Sequence, residues 1–170
     1  VDHQSHGESE GEYIGFASHE HKDCLKWLEY INNTFGKDIK IILHGISMGS
    51  ATVMLMTGSD KLPENVRFTI ADCGFTSALD EFTYKLESLG LPKKPIIPII
   101  CQYNKMRAGY DFQKDTNALE AVGKEGSYVC VFDVAGGIPF INTTICEDVN
   151  TKVRAKLGIA ANAVPAAPAK

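Results

Sequence analysis

Residues 40 to 56, KIILHGISMGSATVMLM, decide how the rest of the chain is read. Lys40 to Leu43 is aliphatic and β-branched, as expected of a strand buried on both faces. Ser50 to Met56 is short, apolar and rich in helix formers, and Gly58 follows as a stop. Between them stands Gly45-Ile46-Ser47-Met48-Gly49, a G-x-S-x-G. A serine at a sharp strand-to-helix turn is held in a strained backbone conformation, and glycines beside it leave room for that turn. Such a turn lifts the hydroxyl clear of the sheet, above helix N–H groups that can hold an oxyanion. Ser47 therefore reads as a nucleophile, with Gly45 and Gly49 as the elbow. A Gly/Ser turn in an ordinary βα unit is the alternative.

Strand and helix signals alternate on either side of this stretch. Ser18 can cap a helix from about His19 to Phe35, with Cys24, Leu25, Leu28, Ile31 and Phe35 on one stripe and Gly36 at its end. Residues 65 to 75, NVRFTIADCGF, read as a buried strand running into a polar loop. Ser77 to Leu89 is amphipathic and closed by Gly90. Residues 91 to 98, LPKKPIIP, do not suit an element interior, and Ile99 to Arg107 reads as a short helix. Asp115 can cap a helix through Val122, Tyr128 to Phe132 is a third strand, and Thr144 to Leu157 is helical. Alternation of this kind calls for a parallel sheet with helices on both faces, an α/β architecture.

Composition narrows the function. The 170 residues carry a net charge of −4, with no basic footprint for nucleic acid. The most apolar run, Pro95 to Cys101, is short and broken by prolines, so no membrane span is expected. The five cysteines are dispersed, with no C-x-x-C and no metal-ligand spacing to histidine. They read as free thiols in a reducing compartment, hence a cytoplasmic protein with no metal and no cofactor.

Several blocks together resemble the α/β-hydrolase superfamily, and more closely bacterial serine hydrolases of the esterase or serine aminopeptidase-like kind. They are Asp2-x-x-x-His6-Gly7-x-Ser9-x-Gly11 with YIGF after it, then LHGISMGSATV, then LPENV with ADCGFTSALDEF, and RAGYDF leading to ALEAV. The resemblance covers residues 1 to about 122. It implies an enzyme acting on small-molecule ester, thioester or amide bonds through an acyl-enzyme on Ser47, with the Met48 backbone N–H as one oxyanion-hole donor. The His6-Gly7 and Asp72-Cys73-Gly74 loops would shape the pocket rim. Members of that superfamily carry several strands before this point, a loop giving a second oxyanion donor, and a late acid and histidine. Here Asp133 is the nearest carboxylate to the expected acid, with Asp72 as the alternative. No histidine follows His44, although serine needs an imidazole to take its proton. His44 is expected as a packed core side chain. His3 and His6 fall in the N-terminal loop, and His19 and His21 at a helix start.

The expected organisation is the central part of an α/β-hydrolase domain over 1–123, with its N-terminal strands and C-terminal histidine region missing. A divergent or unrelated α/β continuation follows over 124–158, then an Ala/Pro-rich tail over 159–170. A catalytically silent module of the same fold, kept for binding or assembly, is the second reading. An exposed sheet edge would favour self-association.

Overall fold

The computed structural model describes residues 1–122 and 129–132. Three strands, β1 (Ile41–Ile46), β2 (Val66–Asp72) and β3 (Val129–Phe132), pair in parallel with β2 in the centre. Around them run α1 (Glu20–Phe35), α2 (Met48–Thr57), α3 (Ala78–Ser88), α4 (Lys93–Arg107) and α5 (Ala118–Val122). The fold is mixed α/β, with helices linking parallel strands. Asp133, Thr144 to Leu157 and the 159–170 tail lie outside the described residues.

The register explains which side chains are buried. Leu43 pairs with Thr69 and Gly45 with Ala71, and all four are buried. Above them lies α2, whose Ala51, Val53, Met54 and Met56 pack with Leu25 and Leu28 of α1 and Ala118 and Val122 of α5. A helix this apolar all round is stable only when surrounded. Its threonine hydroxyls are satisfied locally: Thr52 Oγ1 donates to the Met48 carbonyl, and Thr57 Oγ1 donates to the Val53 carbonyl and shares a 2.9 Å bond with Thr69 Oγ1. The buried Ser50 hydroxyl, in contrast, has no partner among the described residues. Asn32 and Asn65, both buried, exchange amide hydrogen bonds of 3.3 and 2.8 Å that tie α1 to the start of β2. A second cluster joins Ala78, Tyr110 and Phe112 to Phe16 and Phe82, and holds α3 and α4 beside this core.

The expectation of a strand buried on both faces fails for β1. Ile42, His44 and Ile46 are exposed, and their register partners Phe68, Ile70 and Asp72 are only half-buried. Among the described residues, helices cover one face of the sheet alone.

Element ends also depart from expectation. Ser18 does not cap α1: His19 holds the N-cap position, and the buried Ser18 hydroxyl has no partner. Phe35 is exposed while Asn32 takes the inward position on the last turn. Ser77 does cap α3, accepting the Asp80 N–H and donating its hydroxyl to the Asp80 carboxylate. Helix α4 starts ahead of Ile99 despite three prolines. Pro95 sits in the first turn, where its missing N–H has no partner to lose. Pro98 would face the Lys94 carbonyl, which a ψ of 133° turns out of the helix. Asn117, not Asp115, caps α5 by accepting the Glu120 N–H. The Asp115 carboxylate instead accepts the Asp111 N–H. No helix among the described residues is long and apolar enough to cross a membrane.

The uncovered face has a measurable consequence. Ile42 and Ile46 are 62% and 59% exposed on one sheet face. Replacing both by lysine should shift the chain from self-associated species towards monomer in light scattering, with little change in thermal midpoint. A parent chain that is already monodisperse would overturn this.

Candidate active site

Ser47 lies between the last residue of β1 and the first of α2, with φ 54° and ψ −117°. An L-residue held in so sparsely populated a region costs on the order of 1–3 kcal/mol. The surroundings hold it there from both sides. Its N–H donates to the Asp72 carbonyl on β2 at 2.9 Å, and its own carbonyl accepts the N–H groups of Ser50 and Ala51 at 3.0 and 3.3 Å. The sharp reversal presses the first turn of α2 onto the strand. A Cβ on Gly45 would overlap the Gly49 carbonyl and stand 2.7 Å from the Ser50 nitrogen, so only glycine fits. Gly49 differs. A Cβ there meets nothing within 4 Å, so steric room does not require that second glycine.

The Ser47 side chain is exposed, and no hydrogen bond engages its hydroxyl among the described residues. Met48 contributes the first N–H of α2, a group that helix geometry leaves without an intrahelical acceptor. The exposed Ser47 hydroxyl and this helix-start amide are thus adjacent in the chain. Asp72 ends β2 opposite Ile46, and its Oδ1 is buried with no hydrogen-bond partner. A buried carboxylate oxygen without a donor is costly, and such atoms are few in folded proteins. Cys73 follows with φ 45°, a second strained residue at a neighbouring strand end. Gly74 then lies against α2, where a Cβ would overlap Ser50 Oγ. The Asp72-Cys73-Gly74 loop therefore borders the elbow. Asp133 falls outside the described residues, so of the two candidate acids only Asp72 has a described position.

The histidines lie elsewhere. His44 is exposed on β1, on the face away from α2, not packed in the core. His6 Nδ1 bonds the Gln4 carbonyl, and His19 Nε2 bonds the Ala108 carbonyl while its ring stacks edge-on with Tyr110. His21 donates Nδ1–H to the Ala17 carbonyl at 2.7 Å. His3 Nδ1 stands 4.0 Å from Cys24 Sγ. None bonds Ser47. Burial lowers the pKa of His3 and of His21, and raises that of the Cys24 thiol.

The motif around Asp2 closes on itself. Asp2 accepts the Glu8 N–H with its carboxylate and the Ser9 hydroxyl with its carbonyl. Gly7, at φ 55°, holds the left-handed conformation that favours glycine, and a Cβ there would displace that carboxylate. A hollow of about 970 Å³ beside this loop is lined by His3, Glu20, Cys24 and Trp27, without Ser47 or Asp72. No hydrogen bond joins the His6-Gly7 loop to the elbow. Sequence reasoning missed the buried Asp72 oxygen and the strain at Cys73; the polar D-C-G after a strand was the available signal. Among the described residues no group of three ligand side chains could hold a metal.

Three substitutions test the elbow. Ser47→Gly should stabilise the fold by about 1–3 kcal/mol in urea titration, since glycine tolerates φ 54° without strain. Gly45→Ala should destabilise by about 1–3 kcal/mol or more through overpacking, whereas Gly49→Ala should be neutral or stabilise by up to about 1 kcal/mol. Equal losses at the two glycines would contradict the geometry. A pH prediction follows from the lowered His21 pKa. The unfolded chain binds that proton more readily, so the stability due to neutral His21 is full above its ordinary value and falls as pH drops through it. Acidification from neutrality should therefore destabilise the parent more than His21→Asn, by thermal midpoints.

A curated relative, an uncharacterized protein, YqkD, of Bacillus subtilis (strain 168), is 33% identical over 110 residues, which are 64% of this chain and 36% of that protein. The chain thus spans about a third of that relative's length. No protein-family model matches the sequence, and no solved structure does.

Proposed function

We propose that the chain carries the nucleophile elbow of a serine hydrolase that cleaves ester, thioester or amide bonds through an acyl-enzyme on Ser47. The observation that carries this reading is the strained backbone of Ser47 at the β1–α2 turn. Strain of this size persists where the surroundings over-determine it, and it clusters at functional sites. In the reaction Ser47 Oγ attacks the acyl carbon, and the Met48 N–H donates to the oxyanion as the carbonyl becomes tetrahedral. The alcohol, thiol or amine then leaves, and water releases the acyl group. Among the described residues Asp72, with its unpartnered buried oxygen, is the carboxylate suited to orient an imidazole. The free thiols of Cys24, Cys73 and Cys101 fit a reducing, cytoplasmic setting.

One observation favours the second reading, a catalytically silent binding or assembly module. No described histidine bonds Ser47, so the proton of its hydroxyl has no base among those residues. The 170-residue chain is accordingly expected to label only slowly with a fluorophosphonate probe, with the adduct on Ser47 by mass spectrometry. Hydrolysis of p-nitrophenyl acetate should stay within about 10³-fold of water, the level that an oxyanion hole and binding sustain without a triad. It should be flat across neutral pH, with no imidazole titrating. Labelling that survives Ser47→Ala, or no labelling at all, would discard the nucleophile and leave the binding module. A fast Ser47-dependent rate with an inflection near about pH 6.5 would reveal a histidine base.

A further inference from the structure

We propose that α4 is an interfacial helix that seats the protein on an anionic phospholipid surface. The proposal rests on α4 alone and is independent of the chemistry at Ser47. None of the residues of α4 is fully buried. Its inner side is marked by the half-buried Ile100, Cys101, Asn104 and, at the C-cap, Ala108. Ile100, Cys101 and Ala108 touch the cluster around Tyr110 and Phe112. Its outer side carries Ile99, Tyr103 and Met106, exposed by 61%, 64% and 74%. Spacings of four and three place these on one stripe. Lys93 and Lys94 stand at one end of the helix and Lys105 and Arg107 at the other, and no Asp or Glu occurs between Glu87 and Asp111. A chain of net charge −4 therefore concentrates four cations around an apolar stripe.

That combination matches helices that lie in the plane of a membrane interface, with apolar side chains sunk among acyl chains and cations at the headgroups. Tyr103 suits the boundary, with an apolar ring and a polar tip. A second copy is the poorer occupant, because a two-fold contact through this face would set its own four cations against themselves. Lys93 meets Glu87 and Lys105 lies 4.0 Å from Asp111, but both pairs are exposed and hold their cations weakly.

Co-sedimentation of the full chain with vesicles tests this directly. Binding is expected to phosphatidylcholine vesicles containing phosphatidylglycerol, and should weaken with added salt and on pure phosphatidylcholine. Each cation near such a surface changes partitioning about five-fold, so Lys105→Gln with Arg107→Gln should weaken it roughly 25-fold. Met106→Asp should abolish most of it. In a chain carrying Trp27→Phe and Tyr103→Trp, indole emission should shift to the blue on adding the anionic vesicles, reporting burial of the stripe itself. No binding to anionic vesicles would overturn the proposal. So would equal binding to neutral ones, unchanged binding by the two charge substitutions, or an indole emission that does not shift.

Discussion

The hydrogen bond from the Ser47 N–H to the Asp72 carbonyl fixes where β1 stops being a strand. It is the last link joining the tips of two parallel strands, and it is made by a residue whose φ has already left the extended region. Everything beyond depends on it. With the N–H anchored to β2, the carbonyl can turn only towards the amides of Ser50 and Ala51, and α2 begins at once. The helix then lies so close to the strand that Gly45 has no space for a side chain. The apolar residues of α2 consequently fall over Leu43 and Ala71, and α1 and α5 close around them.

Much of this was legible in the residues. The run of aliphatics into G-x-S-x-G marked β1, the turn and α2, because a buried strand, a strained turn and an apolar helix each leave a local trace. The Ser77 cap and the Gly36 and Gly90 stops were equally local, and all three stand in the fold. What sequence alone hid was non-local. Composition made β1 apolar on both sides, but burial depends on what packs there, and only the Leu43 side is covered by described helices. Ser18 and Asp115 are good caps by type, yet the chain path puts His19, which makes no side-chain cap bond, at the N-cap of α1 and gives the cap of α5 to Asn117. Prolines argued against the first turn of α4 because their cost depends on whether a carbonyl faces them, which spacing does not reveal.

The site was legible in the same uneven way. Ser47 and Met48 belong to a contiguous motif, and the turn it marks stands between β1 and α2 with Ser47 at φ 54°. Asp72 sits beside the elbow through its strand pairing with Ile46, a relation between residues 26 apart that no periodicity encodes. The histidines illustrate the converse. His44 looked like core because its neighbours in sequence are apolar, but alternation along a strand sends it to the opposite side from Leu43 and Gly45. The glycines of the elbow divide likewise: one is forced by contact, and the other stands in open space.

The ties of the N-terminal loop also bear on the order of assembly. Tyr110 donates its hydroxyl to the Ile14 carbonyl across 96 positions, and His19 reaches Ala108 across 89. Phe16 packs on Phe112 over a similar separation. On a ribosome, the segment ahead of α1 emerges before Ala108, Tyr110 and Phe112 and waits for those partners. Contacts of such sequence separation form slowly, because a long loop must close before they repay its entropy. The βαβ unit of β1, α2 and β2 can gather locally meanwhile. Among the described residues, those ahead of α1 then lock later than the β1–α2–β2 unit, and until they do they stay open to contact with other chains.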